Sequence, residues 1–226
     1  MAVTESVVGP LEQLALSIIK DSHRVVGFST PSQDPRIASL SQAVGCLFAR
    51  SGYKTLVIDL AQPVRASDRE GWHPGRGDVN RFISRHENDF DHLLAHPTPD
   101  TRFAFNNVKG TRAALDGDLA TYERVLIGLG SLHQPGPNII NSVAVAAACD
   151  AVYVVCKRGI TTAEQLSGAV QAARAAGANV AGVIVDETHH VRLSEQMNAA
   201  SNRVLHMLPR AVKRLFVRTV GGAHRA

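Results

Sequence analysis

The segment Gly27–Gly45, GFSTPSQDPRIASLSQAVG, decides how the rest of the chain is read. An apolar run, RVV, leads into it, and a second, KTLVID, follows at Lys54–Asp59. Between them Ile37, Leu40, Val44, Leu47 and Phe48 recur at steps of three and four, the period of a helix with one buried face. That helix is expected to run to Arg50 and to close at Gly52, because glycine takes the left-handed conformation that ends a helix without a Cβ penalty. The order is therefore strand, loop, helix, strand. A loop at that place in many nucleotide-binding proteins is glycine-rich and carries a lysine for phosphates. Here neither Gly nor Lys occurs between Phe28 and Val44.

The same alternation continues on both sides. LEQLALSIIK places Leu11, Leu14 and Ile18 on one helical stripe. LATYERVLIGLG reads as a helix end and a strand, and AVYVVCK and VAGVIVDE as further strands. TTAEQLSGAVQAARAAG reads as a helix with a threonine cap, Glu164 near its start and Gly177 at its end. The Gly-, Pro- and His-rich stretch from Ala61 to Asp78 is expected to be loop and partly mobile. DVNRFISRH and DFDHLLAH are expected to be short helices, and TRFAFNNV a strand. VLIGL and GVIV lack period-2 alternation, as strands buried on both faces should. The fold expected is α/β: a doubly wound, mostly parallel sheet flanked by helices, with a basic C-terminal helix. Ligands of such sheets bind at the carboxyl ends of the strands, so the loops after Ser29, Asp59, Gly128 and Lys157 are the informative ones.

A chain of 226 residues suits one large domain, set here at residues 1–200, with a basic amphipathic tail at 201–226. No acid follows Glu195, whereas Arg203, Arg210, Lys213, Arg214, Arg218 and Arg225 all do, so the net charge of +4 sits in the tail. Cys46, Cys149 and Cys156 have no metal-ligand spacing and apolar neighbours; buried reduced thiols are expected. The N-terminal stretch has no basic start and contains Glu5 and Glu12, unlike a secretory signal. The most apolar run, Ile139 to Cys156, is broken by Asn141 and Asp150, so no membrane span is expected.

Taken together, five segments in order resemble the cytoplasmic domain of the bacterial tyrosine kinases that regulate capsule and exopolysaccharide export, within the MinD/ParA-like group of P-loop proteins. The family's loop reads approximately S-P-x-P-G-E-G-K-S/T, and STPSQDPRIAS matches it here. Keeping the downstream ARSG in register puts Ile37 at the lysine and Ala38 and Ser39 at the hydroxyl pair. The family's LLIDADLRRP corresponds to LVIDLAQP: Asp59 matches the first acid, Ala61 replaces the second, and Pro63 is kept. The family's IIDTPP corresponds to LIGLGS, with Gly128 at the aspartate. The segment GITTAEQ through AGANVAGVIVDE matches best, and the resemblance spans roughly Leu11 to Asp186. Without that segment, STPSQDPR would fit the strand–helix loop of any unrelated α/β domain.

The differences fall on the letters that carry chemistry. A phosphate cradle needs backbone N–H groups converging, a lysine for the transferring phosphate, and a hydroxyl and an acid for Mg²⁺. Across Ser32, Gln33, Asp34, Pro35, Arg36, Ile37, Ala38 and Ser39 the glycines are gone, Pro35 removes an N–H, and Asp34 adds negative charge. Arg36 is the one cation left to replace the lysine. Asp59 remains as a residual acid. Losing one preorganised electrostatic group costs about 10²–10³ in rate, and at least three are absent. A phosphate loop emptied of its chemistry is expected, with no catalytic residue, no cofactor and no metal.

Other constellations add little. His189 and His190 are adjacent and point apart; His92 and His96 are spaced to share a helix face, but no second cluster completes a metal site. Ser131, His133 and scattered acids form no recognisable triad. The kinases of the resemblance end in a tyrosine cluster that they phosphorylate, whereas this chain has only Tyr53, Tyr122 and Tyr153. In the tail, Val212, Leu215 and Phe216 form an apolar stripe beside Arg210, Lys213, Arg214 and Arg218. It suits an anionic membrane surface, an acidic partner, or a last helix packed on the domain with its cations in water. The resemblance implies a catalytically inactive, cytoplasmic regulator or scaffold, peripheral to the inner membrane at most. Its expected partners are a membrane-spanning polysaccharide co-polymerase or another export-complex protein, and a homo-oligomer; no specific nucleic acid is expected. The alternative is a divergent ParA/MinD-type positioning ATPase, which would need a γ-phosphate to sense.

Overall fold

The computed structural model describes residues 10–32, 37–60, 71–93, 95–133 and 140–186. The chain divides into two compact units, Met1–Asp186 and Glu187–Ala226. The second, with the tail cations Arg210, Lys213, Arg214 and Arg218, lies outside the described residues.

Helix α1 spans Pro10–Lys20, strand β1 Val25–Thr30, α2 Ile37–Arg50 and β2 Thr55–Asp59. A 3₁₀ turn at Val79–Phe82 precedes β3 (Ile83–Arg85) and β4 (Asp91–Leu93). Then come α3 (Pro99–Phe105), α4 (Val108–Gly117), β5 (Arg124–Ser131), α5 (Ser142–Ala148), β6 (Ala151–Lys157), α6 (Ala163–Ala175) and β7 (Val180–Asp186). The strands form one sheet in the order β3-β4-β2-β5-β1-β6-β7, parallel throughout except for the β3–β4 pair. Successive strand residues face opposite layers. Val26, Phe28, Val57 and Leu126 pack with Ile37, Val44 and Phe48 of α2 and Ile18 of α1. Val25, Ile58, Val125 and Val152 pack on the other side with Leu115 of α4, Val145 of α5 and Ala169 of α6. Every residue of β1 is buried, which is why the central strands read as unbroken apolar runs. This is the doubly wound α/β architecture that the sequence predicts. No helix of the described residues is long and apolar enough to cross a membrane; the described part of the apolar run, from Ile140 to Cys156, holds α5 and most of β6.

Three local expectations are corrected. The two short helices expected over residues 78–96 are instead the 3₁₀ turn and an antiparallel hairpin, closed where His86 N–H donates to Phe90 O (2.8 Å) and Asp89 takes a left-handed φ of 66°. Pairing of β4 with β2 outweighs the helical spacing. His92 therefore sits on β4 and His96 in the following loop, not on one helix face. TRFAFNNV is not a strand but mostly α3, because Thr98 Oγ1 caps it by accepting from Thr101 N–H and Pro99 opens its first turn. The Phe103/Phe105 spacing imitates a strand, yet Phe103 is 82% exposed and Phe105 buried. The described end of the Gly-, Pro- and His-rich stretch, residues 71–78, is loop as expected, and Trp72 within it is fully buried, edge-on to Phe105. Gly71 permits this, since a Cβ there would lie 2.3 Å from the His96 backbone nitrogen. Finally, GVIV is not buried on both faces; β7 is an edge strand with Val183 and Val185 half exposed.

At the N-terminal end of the strands a network of charges fastens the sheet to α4. Asp150 Oδ2 accepts from the backbone N–H groups of Arg24 (2.9 Å) and Val25 (2.7 Å), while Oδ1 accepts from Arg112 Nη1 (2.5 Å). Arg112 Nε and Arg24 Nη2 each donate to Asp116 at 2.7 Å, and Arg24 Nη2 also reaches Leu115 O at 2.8 Å. Burial raises the Asp150 carboxyl, but the Val25 N–H and Arg112 bonds outweigh it and hold the group below the usual carboxylate range. Nothing in the periodicity announces this network. The one signal is that Arg24 and Asp150 each sit just before a buried strand.

Candidate functional site

The site expected from the strand order is the carboxyl end of β1, β2 and β5. The loop residues Gln33, Asp34, Pro35 and Arg36, and the β2 successors Ala61 and Pro63, lie outside the described residues. The flanking positions are clear. Ile37, at the lysine place, opens α2 and is 2% exposed, with its side chain in the layer of Val26, Phe28 and Val44. Helical periodicity explains this: Ile37 shares the buried face with Val44 and Phe48. A charged group there would have to leave the apolar layer to reach a ligand. Ala38 is also buried, Ser39 is exposed, and the buried Ser41 hydroxyl donates back to Ala38 O at 2.9 Å.

Asp59 and Gly128 are register partners on adjacent strands, and Gly128 faces Phe28 on its other side. A Cβ built on Gly128 would stand 3.2 Å from Ser41 Oγ and 3.4 Å from Asp59 Oδ1. The Asp59 carboxylate thus leans toward the space that a side chain at 128 would enter. His92 on β4 lies within its field: burial lowers the His92 pKa, Asp59 raises it, and His86 lowers it again, with a net depression. His86 stacks on Phe90. Sequence reading missed His92 as a neighbour of Asp59, because only the β2–β4 pairing brings them together.

The ends of β1 and β5 are tied by hydroxyls. Ser29 Oγ donates to Gly130 O at 2.5 Å, Ser131 Oγ to Pro31 O at 2.9 Å, and Thr30 Oγ1 to Ser32 O at 2.5 Å. Leu132 N–H donates to Thr30 O, and His133 N–H to Ser131 Oγ. The His133 ring lies against Gly168 of α6, so Ser131 and His133 are brought together through the backbone of the histidine rather than its imidazole. Tyr122 donates to Asp91 at 2.9 Å and Tyr153 is buried in β6, so neither phenol is displayed.

With this geometry in hand, solved structures can be compared. The VpsO kinase domain matches with a TM-score of 0.65 over 81% of this chain and 94% of its own, at 20% identity. The kinase domain of the Escherichia coli tyrosine kinase ETK matches with a TM-score of 0.63 over 76% of this chain and 71% of its own, at 18% identity. The chain has the bacterial tyrosine-kinase fold. MinD of Aquifex aeolicus, a cell division protein, shares the wider architecture, with a TM-score of 0.54 at 12% identity over 78% of this chain and 73% of its own. No family model and no curated protein matches the sequence. Within the kinase fold a magnesium nucleotide would sit at the end of the sheet just described. Among the described positions that the resemblance assigns to that ligand, the lysine place is a buried isoleucine, one acid place is a glycine, and Asp59 and the exposed Ser39 are polar.

Proposed function

We propose that this chain is a catalytically inactive relative of the bacterial tyrosine kinases, acting as a scaffold or regulator in exopolysaccharide synthesis and export beside a membrane-spanning co-polymerase. The observation that carries the reading is the pairing of a kinase-like fold with a buried Ile37 at the lysine place, supported by Gly128 at the acid place. A fold that keeps its layers while its charged ligand groups are replaced by apolar and vacant ones retains a surface and loses a reaction. Calorimetric titration with Mg-ATP and Mg-ADP should give no binding heat, and incubation with labelled ATP no phosphotyrosine. Micromolar affinity, or autophosphorylation abolished by Asp59→Ala, would overturn the proposal. Replacing residues 33–38 by PGEGKS should restore weak binding at most and no kinase activity, because Gly128 and Ala61 still leave Mg²⁺ without its acids.

The MinD likeness supports a second reading, a nucleotide-dependent positioning protein. Sedimentation separates the two: dimerisation driven by ATP favours the switch, and a sedimentation coefficient indifferent to ATP favours the scaffold.

A further inference from the structure

A cleft opens at the opposite end of the sheet from the kinase-like ligand places, between the α2–β2 turn and the β3–β4 hairpin. Gly52 ends α2 with a left-handed φ of 88°, and the chain turns there into β2. The turn supplies Arg50, Tyr53 and Lys54 to the cleft, the hairpin supplies Arg85 and Asp89, and Glu123 comes from the residue before β5. The cleft encloses about 610 Å³, within the usual range of small-molecule sites. Its charged groups are only partly engaged. Glu123 Oε2 accepts from Lys54 N–H at 2.8 Å, and Oε1 has no donor among the described residues. The exposed Asp89 carboxylate meets Arg85 at the long distance of 3.6 Å, and Arg85 also reaches Asp91 at 3.2 Å. Lys54 Nζ stands 4.9 Å from the centre of the Tyr122 ring, a contact that attracts the ammonium without neutralising it. The exposed Arg50 meets no carboxylate among the described residues. Three cations against two carboxylates leave the lining with a surplus of one positive charge.

Such a lining discriminates among small polar ligands. A phosphate ester dianion would set two negative charges beside Asp89 and Glu123. A neutral sugar would leave the surplus cation without a counter-charge. A polyhydroxylated monoanion satisfies both signs: carboxylates accept from its hydroxyls, while guanidinium and ammonium groups donate to its acid. We propose that this cleft binds a sugar acid of the uronate class, with its carboxylate on Arg50 and Lys54 and its hydroxyls on Asp89 and Glu123. The site lies where β2 begins, whereas Asp59 lies where β2 ends, so it does not rest on the inactive-kinase reading.

Amide chemical shifts of the full chain, followed by NMR during titration with sodium glucuronate, test the site. Saturable shifts at Gly52, Lys54 and Thr55 are expected in the millimolar range. Glucose, glucose 6-phosphate and sodium acetate should each bind about tenfold more weakly, the loss expected when one charge-assisted contact is missing or opposed. Arg50→Gln/Lys54→Gln should weaken glucuronate about tenfold and leave Tm unchanged, since both side chains are exposed. Asp89→Gly is the discriminating variant, because glycine keeps the left-handed φ of 66° at this position while removing a carboxylate. It should weaken glucuronate severalfold by taking an acceptor from the hydroxyls. Tighter binding by Asp89→Gly would mark the cleft as an unselective anion patch and overturn the proposal. So would equal binding of acetate or glucose 6-phosphate, an unchanged affinity in the double variant, or no saturable shift at tens of millimolar glucuronate.

Discussion

At the N-terminal end of the sheet, Asp150 carries two backbone N–H groups and an arginine, and Arg24, Arg112 and Asp116 extend the network to α4. At the C-terminal end, where the resemblance places a lysine and a pair of acids, Ile37 is packed in the core, Gly128 has no side chain, and hydroxyls make the ties. At one end charge satisfies backbone groups that the fold leaves open; at the other, among the described positions that the resemblance assigns to a ligand, Asp59 is the charge that remains. The first kind of charge is part of the architecture. At the other end Ile37 completes the buried face of α2.

The largest effect is expected from breaking the charged end. Asp150→Ala leaves two strand-entry N–H groups without their acceptor and takes from Arg112 one of its two carboxylate partners, and should cost about 2–4 kcal/mol in urea unfolding after allowance for partial exposure. Because its hydrogen bonds hold the carboxyl below the ordinary range, the stability that it supplies is complete above about pH 4 and is lost as pH falls through the folded-state value. Asp150→Asn should therefore flatten the acid limb of the stability curve. Next comes Ile37→Lys, which places a charge in the α2 layer. It should cost about 2–4 kcal/mol and give no Mg-ATP binding in return, checked by thermal melting with and without nucleotide. If this variant bound nucleotide with unchanged stability, the contrast between the two ends would fail.

A smaller effect is expected from Gly128→Asp, about 1–3 kcal/mol, since its Cβ meets Ser41 Oγ and the Asp59 carboxylate and two acids would share one space. The loss should be larger at pH 8 than at pH 5, and Asp59→Asn should relieve it; melting curves of the three variants at both pH values decide this. The smallest is His92→Asn. With its folded-state pKa depressed chiefly by burial, His92 favours unfolding as pH falls below about 6.5, where the unfolded chain takes up the proton first. The variant should remove under about 1 kcal/mol of that acid sensitivity, seen as a shallower fall in Tm between pH 7 and pH 5.

What the sequence discloses follows from range. Helix α2 was legible because Ile37, Val44 and Phe48 repeat the helical period, and the same period places Ile37 in the core. Gly128 stood out only through the resemblance, which puts it at the aspartate of a family motif; the structure makes it the register partner of Asp59. The β3–β4 hairpin was not legible, because strands of three residues carry too little alternation to compete with a helical spacing. Nor was α3, where a capping threonine and a proline outweigh two phenylalanines spaced as in a strand. The charge effect of Asp59 on His92, the Ser29–Gly130 tie between β1 and β5 and the Asp150 network depend on partners about 30 to 126 residues away, which no local window contains.

That range has a consequence for how the chain is born. Strand β1 is buried on both sides, yet its neighbours β5 and β6 lie far downstream, and Asp150, which receives Val25 N–H, comes 125 residues later. At a ribosomal rate of about 5–20 residues per second, the first strand waits roughly 6–25 seconds for that partner to be made. During that interval VVGFST is an unpaired apolar segment of high β-propensity, the kind of sequence that other nascent chains can capture. The centre of the finished sheet is thus the part most in need of protection during synthesis.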